Sequence, residues 1–253
     1  MSISLTAIVI AKNEERMIGE ALDSLSFVQE IVVVDNNSTD KTAEIAQKKG
    51  AEIIKVDTND FSKLREAPLK KIKTEYILYI DADERVSPEL QLEIIKIIHE
   101  NAHISAYRIP RKNYYLGNHL WPHTEQFERL FRRSALNGWK GQLHESAIVE
   151  GQIGQLSSPL IHYTHRDFAS MIEKTNKWSE IEARLRFDVG HPPVVWWRFP
   201  RVMFQAFSNS YFTQAGWKAG MVGLMESMFQ AFSIFITYAK LWELQNSDKK
   251  SMS

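Results

Sequence analysis

The chain contains no cysteine in 253 residues, so disulfides, thiolate nucleophiles and cysteine-ligated zinc are excluded. It lacks a charge excess as well, with 31 Lys/Arg against 31 Asp/Glu. General nucleic-acid binders carry a net basic face, so no nucleic-acid partner is expected. The opening Met1-Ser2-Ile3-Ser4-Leu5 has neither a basic stretch nor a small-residue cleavage site. Its apolar run reads as a core strand rather than a signal peptide, and the expected location is cytoplasmic. There is no internal repeat and no low-complexity segment; only the last seven residues read as a frayed tail. Nor does a Gly-rich basic phosphate loop follow the first apolar run, where Ala11-Lys12-Asn13-Glu14 stands instead.

What is present alternates for about a hundred residues between strand and helix signals. Ile3–Ile10, Glu30–Val34, Ile53–Val56 and Tyr76–Ile80 are short β-branched or aromatic runs. Between them stand a helix from Met17 to Leu25, one capped by Asp40 and stopping near Gly50, and one over Ser62–Lys73. Ser87-Pro88 reads as the N-cap and first residue of a further helix to about Glu100. Such alternation predicts βαβ units, a mostly parallel Rossmann-like sheet and helices on both of its faces. Ligands of such sheets bind beyond the carboxyl ends of the strands. The polar clusters stand there: Lys12-Asn13-Glu14, Asp35-Asn36-Asn37 and Asp81-Ala82-Asp83-Glu84.

Residues 106–165 change to short strand-like pieces, Ala106–Pro110, Arg129–Arg133 and Pro159–Tyr163, and from Arg166 the chain turns helical and aromatic. The expected organisation is therefore an α/β domain over 1–165 and a helical extension over 166–253. The extension carries 11 Lys/Arg against 8 Asp/Glu, a sign that suits an anionic surface. Trp196-Trp197-Arg198-Phe199-Pro200-Arg201 mixes rings and guanidiniums as membrane interfaces do. In Met221–Trp242 the polar residues Glu226, Gln230, Ser233, Thr237 and Lys240 recur at spacings of 4, 3, 4 and 3. This helix must bury most of its circumference, in a bilayer interface, inside the protein or across a membrane. Peripheral attachment to the cytosolic membrane face is the expectation.

Asp81 and Asp83, one residue apart at a strand end, can hold a hard divalent cation; the other reading is an acidic turn before a helix. Asp35 can accept hydrogen bonds from a base or ribose, with Ser38, Thr39 and Asp40 as local turn and cap residues. Glu145, in Gly138-Trp139-Lys140-Gly141-Gln142-Leu143-His144-Glu145, offers a carboxylate that can serve as a general base. A surface Glu beside a loop His is the alternative. His162 can reach a diphosphate or be a satisfied, partly buried histidine.

Taken together these motifs resemble family 2 glycosyltransferases of the GT-A fold. Ile31-Val32-Val33-Val34-Asp35-Asn36-Asn37-Ser38-Thr39-Asp40 looks like that family's Val-Asp-Asp-x-Ser-Thr-Asp, with Asn36 replacing its second Asp. Asn13-Glu14-Glu15 is similar to its Asn-Glu-Glu, and Asp81-Ala82-Asp83 to its metal triplet. Arg-Leu-Phe-Arg-Arg at 129–133 followed by His144-Glu145 resembles the lipopolysaccharide-core subgroup, which usually has an Asp where Ala215 precedes Gly216. The resemblance implies that Asn13 and Glu14 line the nucleotide pocket and Asp35 contacts base or ribose. It implies Arg65 near the nucleotide, Asp81 at the ribose or a metal-bound water, and Asp83 on Mg2+ or Mn2+. Glu145 would be the base, with His144 an acceptor or phosphate contact. The expected enzyme is an inverting, metal-dependent transferase using a nucleotide-diphosphate sugar, UDP-linked by preference, and a membrane-associated glycan or lipid acceptor. A sugar-phosphate nucleotidyltransferase and a non-catalytic membrane-bound nucleotide-sugar scaffold are the alternatives.

Overall fold

Leu5–Ala11 (β1) is buried at all seven positions in a computed structural model that describes residues 3–100, 103–143 and 145–250. A strand apolar on both faces needs cover on both sides, and β1 receives it. Leu5, Ala7, Val9 and Ala11 face one cluster with Ile18, Leu22, Leu90 and Ile94. Ile8 and Ile10 face another with Leu64, Tyr79, Phe131 and Trp139. The first layer is built by helices α1 (Ile18–Asp23), α2 (Thr42–Lys48) and α4 (Pro88–Glu100). The second is built by α3 (Phe61–Glu66) and a two-stranded sheet of β8 (Leu136–Lys140) and β9 (Ser146–Val149).

The remaining strands are β2 (Glu30–Asp35), β3 (Glu52–Lys55), β4 (Tyr76–Asp81), β5 (Glu84–Val86), β6 (Ala106–Tyr115), β7 (His119–Arg132), β10 (Ile153–Gln155) and β11 (Leu160–Tyr163). The large sheet runs β3-β2-β1-β4-β7-β6-β11-β5, with β10 on β6. Strands β1 to β4 are mutually parallel, and β7 enters antiparallel to β4. The fold is the expected α/β class with a mostly parallel centre and a C-terminal helical region.

Local details depart from the expected elements for identifiable reasons. The helix expected over Ser62–Lys73 ends at Glu66, because Pro68 has no N–H to continue the ladder; Asp60 caps its start, accepting from the Ser62 N–H at 3.0 Å. Asp40 acts one residue ahead of α2's own cap, its carboxylate accepting from the Thr42 N–H at 2.9 Å. The short pieces expected at 106–110 and 129–133 belong to the longer strands β6 and β7. Charged residues on these strands hide the alternation that would have extended them.

By its contacts the chain forms two compact units, residues 1–112 with 124–162 and residues 113–123 with 163–253. The second contains α5 (Phe168–Asp188), α6 (Arg198–Ser208) continued by one π turn, and α7 (Gly220–Lys250). Ala183, Val194, Tyr238 and Leu241 form its apolar centre. Gly216 and Gly223 allow a close approach: a Cβ on Gly223 would lie 1.8 Å from the Gly216 carbonyl oxygen.

Candidate active site

Parallel pairing aligns the polar strand ends. Ile10 stands opposite Asp81 and Ala11 opposite Asp35, so the carboxyl ends of β1, β2 and β4 finish level. Asp35 is buried, its carboxylate accepting from the Ser38 N–H at 3.3 Å. Asn13 has a left-handed backbone, φ 55°. Its N–H donates to the Ser38 hydroxyl at 2.9 Å and its side-chain oxygen accepts from the Thr39 N–H at 2.8 Å. Glu14 is buried and its N–H donates to the Thr42 hydroxyl. Ser38, Thr39 and Asp40 therefore do more than cap locally; with Asn13 and Glu15 they tie the first loop to the second. Asn36 explains its own departure from the family's Asp. Its NH2 donates to the Thr58 carbonyl at 3.0 Å and its oxygen accepts from the Thr58 N–H at 3.2 Å. A carboxylate would leave the first of these without a donor.

Beyond β4 lies an alternating charge ladder. Glu145 accepts from Arg65 at 2.7 Å, and Arg65 reaches Asp81 at 3.4 Å. Asp81 accepts from Arg129 at 2.7 Å, and Arg129 also reaches the fully buried Glu84 at 2.8 Å. Glu84 in turn accepts from Arg111 at 3.1 Å, and Arg111 donates to Glu125 at 2.7 Å. Burial opposes the charge of Asp81, but Arg129 and then Arg65 outweigh it and hold the carboxyl well below the usual carboxylate range. Arg129 is pushed above its ordinary value, the pull of Asp81 and Glu84 exceeding the cost of its burial. Arg65 is seated over Trp139, 4.9 Å from the ring centre, and its carbonyl accepts from the Tyr79 hydroxyl. Its Nη1 is buried with no acceptor among the described residues.

Asp83 lies just past the ladder. Antiparallel pairing of β11 with β5 sets His162 opposite Glu84 and brings its Nε2 to 3.4 Å from Asp83 Oδ2. The expected site residues thus fall into three groups: Asn13, Glu14 and Asp35 on the first two loops, Arg65, Asp81 and Glu145 on the ladder, and Asp83 with His162. His144 lies outside the described residues. Arg129, Arg111 and Glu84 had no assigned role from sequence; a buried charge has the same letter as an exposed one, and only strand pairing reveals it.

No cluster of three or more His, Asp or Glu suited to a metal occurs among the described residues. The donors present fit a cation that takes part of its shell from a ligand. Neighbouring positions around an octahedral ion with bonds of ~2.1 Å are about 3 Å apart, close to the Asp83–His162 separation. Asp81, by contrast, has its two oxygens on Arg65 and Arg129.

Residues 6–151, more than half of the chain, match the family described as Glycosyl transferase family 2. The lipopolysaccharide core biosynthesis glycosyltransferase LpsC of Rhizobium meliloti (strain 1021) is 27% identical, across 95% of this chain and 93% of its own. An uncharacterized glycosyltransferase of Rickettsia prowazekii (strain Madrid E) is 28% identical, across 95% and 87%. Among solved structures, S. aureus TarS 1–349 in complex with UDP-GlcNAc is similar in fold, with a TM-score of 0.50 and 16% identity over 98% of this chain and 92% of that one.

Proposed function

Since the chain belongs to glycosyl transferase family 2, we propose an inverting, metal-dependent glycosyltransferase that uses a nucleotide-diphosphate sugar. UDP is the preferred nucleotide, and the acceptor is a membrane-associated glycan or lipid of the lipopolysaccharide-core kind. The observation that carries this reading is the buried Nη1 of Arg65, which has no acceptor among the described residues, together with the Asp83–His162 pair just after β4. A buried guanidinium short of an acceptor is complementary to a diphosphate.

In this reading Asp35 contacts the nucleoside, and Asn13 and Glu14 shape the pocket by fixing the two loops. Asp83 and His162 would hold Mg2+ or Mn2+, while Asp81 is held by Arg65 and Arg129. When bound, the metal supplies Lewis-acid neutralisation of charge on the leaving diphosphate. Glu145 removes the acceptor hydroxyl proton as that oxygen bonds to the anomeric carbon and the bond to the diphosphate oxygen breaks on the opposite side. Glu145 is ion-paired with Arg65 without a ligand. The entering diphosphate competes for Arg65 and leaves the carboxylate available to the acceptor.

The test is product analysis. Incubation with UDP- and GDP-sugars, Mn2+ and a membrane glycolipid extract is expected to release free nucleoside diphosphate and an anomerically inverted glycolipid. Pyrophosphate release would indicate a nucleotidyltransferase. Tight donor binding with no turnover would indicate a scaffold.

A further inference from the structure

Helix α7 buries polar residues beside apolar ones on one side, Glu226 at 1% exposure and Thr237 with Tyr238 and Leu241, while an apolar line on the opposite side is half-exposed to exposed. Positions 221, 225, 228, 232, 235, 239 and 242 share that line, at spacings of four and three that keep one face of a helix. Met221 is 69% exposed, and Met228, Phe232 and Trp242 are exposed with it. The buried polar side is occupied: Glu226 lies 2.9 Å from His165 Nδ1 and accepts from Gln230 at 2.7 Å, and Lys240 donates to the Asn176 side chain at 2.9 Å.

The preceding segment repeats the pattern. Phe204 of α6 is 71% exposed, and Trp196, Trp197, Phe212 and Trp217 are exposed with it. From Val189 to Met225 there is no Asp or Glu, but there are Arg198, Arg201 and Lys218. These cations lie against the exposed rings, Arg198 5.2 Å from the Trp197 ring centre and Lys218 5.5 Å from that of Trp217.

We propose that this face of α6 and α7 docks in the plane of a lipid bilayer carrying anionic head groups. Exposed tryptophans beside cations match the level where head groups meet acyl chains. The acid-free stretch supplies the complementary charge. A second copy of the chain is a poorer occupant, because a two-fold contact would set the same cations against one another. Spanning is opposed by the occupied polar side, although residues 216–247 are long and apolar enough by composition. A spanning α7 would have to carry Glu226, His165 and Lys240 into hydrocarbon. The proposal deepens the acceptor side of the proposed reaction and rests on that reading only for its biological use.

The experiment is flotation of the full chain with vesicles of phosphatidylcholine alone or with about one-third phosphatidylglycerol. Three interfacial cations predict roughly a hundredfold preference for the anionic vesicles. Trp196→Ser with Trp197→Ser should weaken binding to both vesicles by at least about tenfold. Arg198→Gln, Arg201→Gln and Lys218→Gln together should abolish the preference. Wild-type tryptophan fluorescence should be quenched by lipids brominated near the head group, a readout independent of any variant's folding. Four results would overturn the proposal: no binding, equal binding to both vesicles, resistance to alkaline extraction, or a lipid-free dimer that the tryptophan variant dissociates. Donor hydrolysis in lipid-free buffer is followed in parallel. Its persistence without vesicle binding rejects the docking face alone, and vesicle binding without any nucleotide release rejects the transferase reading alone.

Discussion

The first unit takes charge inside and the second turns hydrophobic surface outside. In the first, Asp81, Glu84, Arg111 and Arg129 are linked beyond the sheet, with Glu84 and Arg129 almost wholly out of solvent. In the second, the tryptophans at 196, 197, 217 and 242 are exposed, Trp196 to 81%. Both arrangements cost free energy in an isolated chain in water. Buried ion networks carry a desolvation penalty that hydrophobic residues of equal volume would avoid. Exposed apolar patches forfeit burial and invite association. The two arrangements mark where ligands are expected, a small charged one at the first unit and an extended amphiphilic surface at the second.

Asp83→Ala should lower Mn2+-dependent turnover by about a thousandfold or more, since several kcal/mol of charge stabilisation is lost. The melting temperature should change little, and a wild-type rate would remove Asp83 from the metal. Glu145→Gln should reduce turnover by about a hundredfold with donor affinity nearly unchanged; an unchanged rate would move the base elsewhere. Arg129→Met deprives Glu84 and Asp81 of their shared partner and should cost about 3–5 kcal/mol in chemical denaturation. Trp196→Ser, on the exposed face, should stay within about 0.5 kcal/mol of wild type. Equal losses in the two variants would erase the distinction between the units.

Acid stability gives a smaller signal. Asp81 is depressed in the folded state relative to an unfolded value of ~3.9. Its contribution is therefore complete above about pH 4 and is lost as pH falls toward the folded value. Asp81→Asn should lose stability less steeply below about pH 4, and an acid limb parallel to wild type would contradict the assigned ion pairs. The smallest effect concerns Ala215, which holds a left-handed backbone with φ 59°. Ala215→Asn should stabilise by about 0.5–1 kcal/mol, because Asn tolerates that region better than Ala. A drop in melting temperature would instead show that the methyl group is needed there.

Much of the first unit was legible in sequence. Continuous β-branched runs such as Ile31–Val34 specify buried parallel strands, and the polar residues after them specify where ligands would bind. The ladder was not legible, because Arg111, Arg129 and Glu84 sit at positions that look solvent-facing until strands β6 and β7 are paired. The pairing of His162 with Asp83 depends on the antiparallel return of β11, a contact between distant segments that no local pattern encodes. In α7 the polar stripe was visible from its spacing. The direction it faces was not, since periodicity fixes which residues share a side but not which side is covered. The helix expected over Ser62–Lys73 ends at Glu66, a stop that Pro68 signals and that the expectation passes over.

The most direct test of the central claim, a donor site at the strand ends with a cation held by Asp83 and His162, is pulsed electron paramagnetic resonance of Mn2+ bound with UDP. One UDP-dependent Mn2+ per chain is expected, with nitrogen coupling from an imidazole that disappears in His162→Phe. No UDP-dependent Mn2+, or nitrogen coupling that survives in His162→Phe, would contradict it.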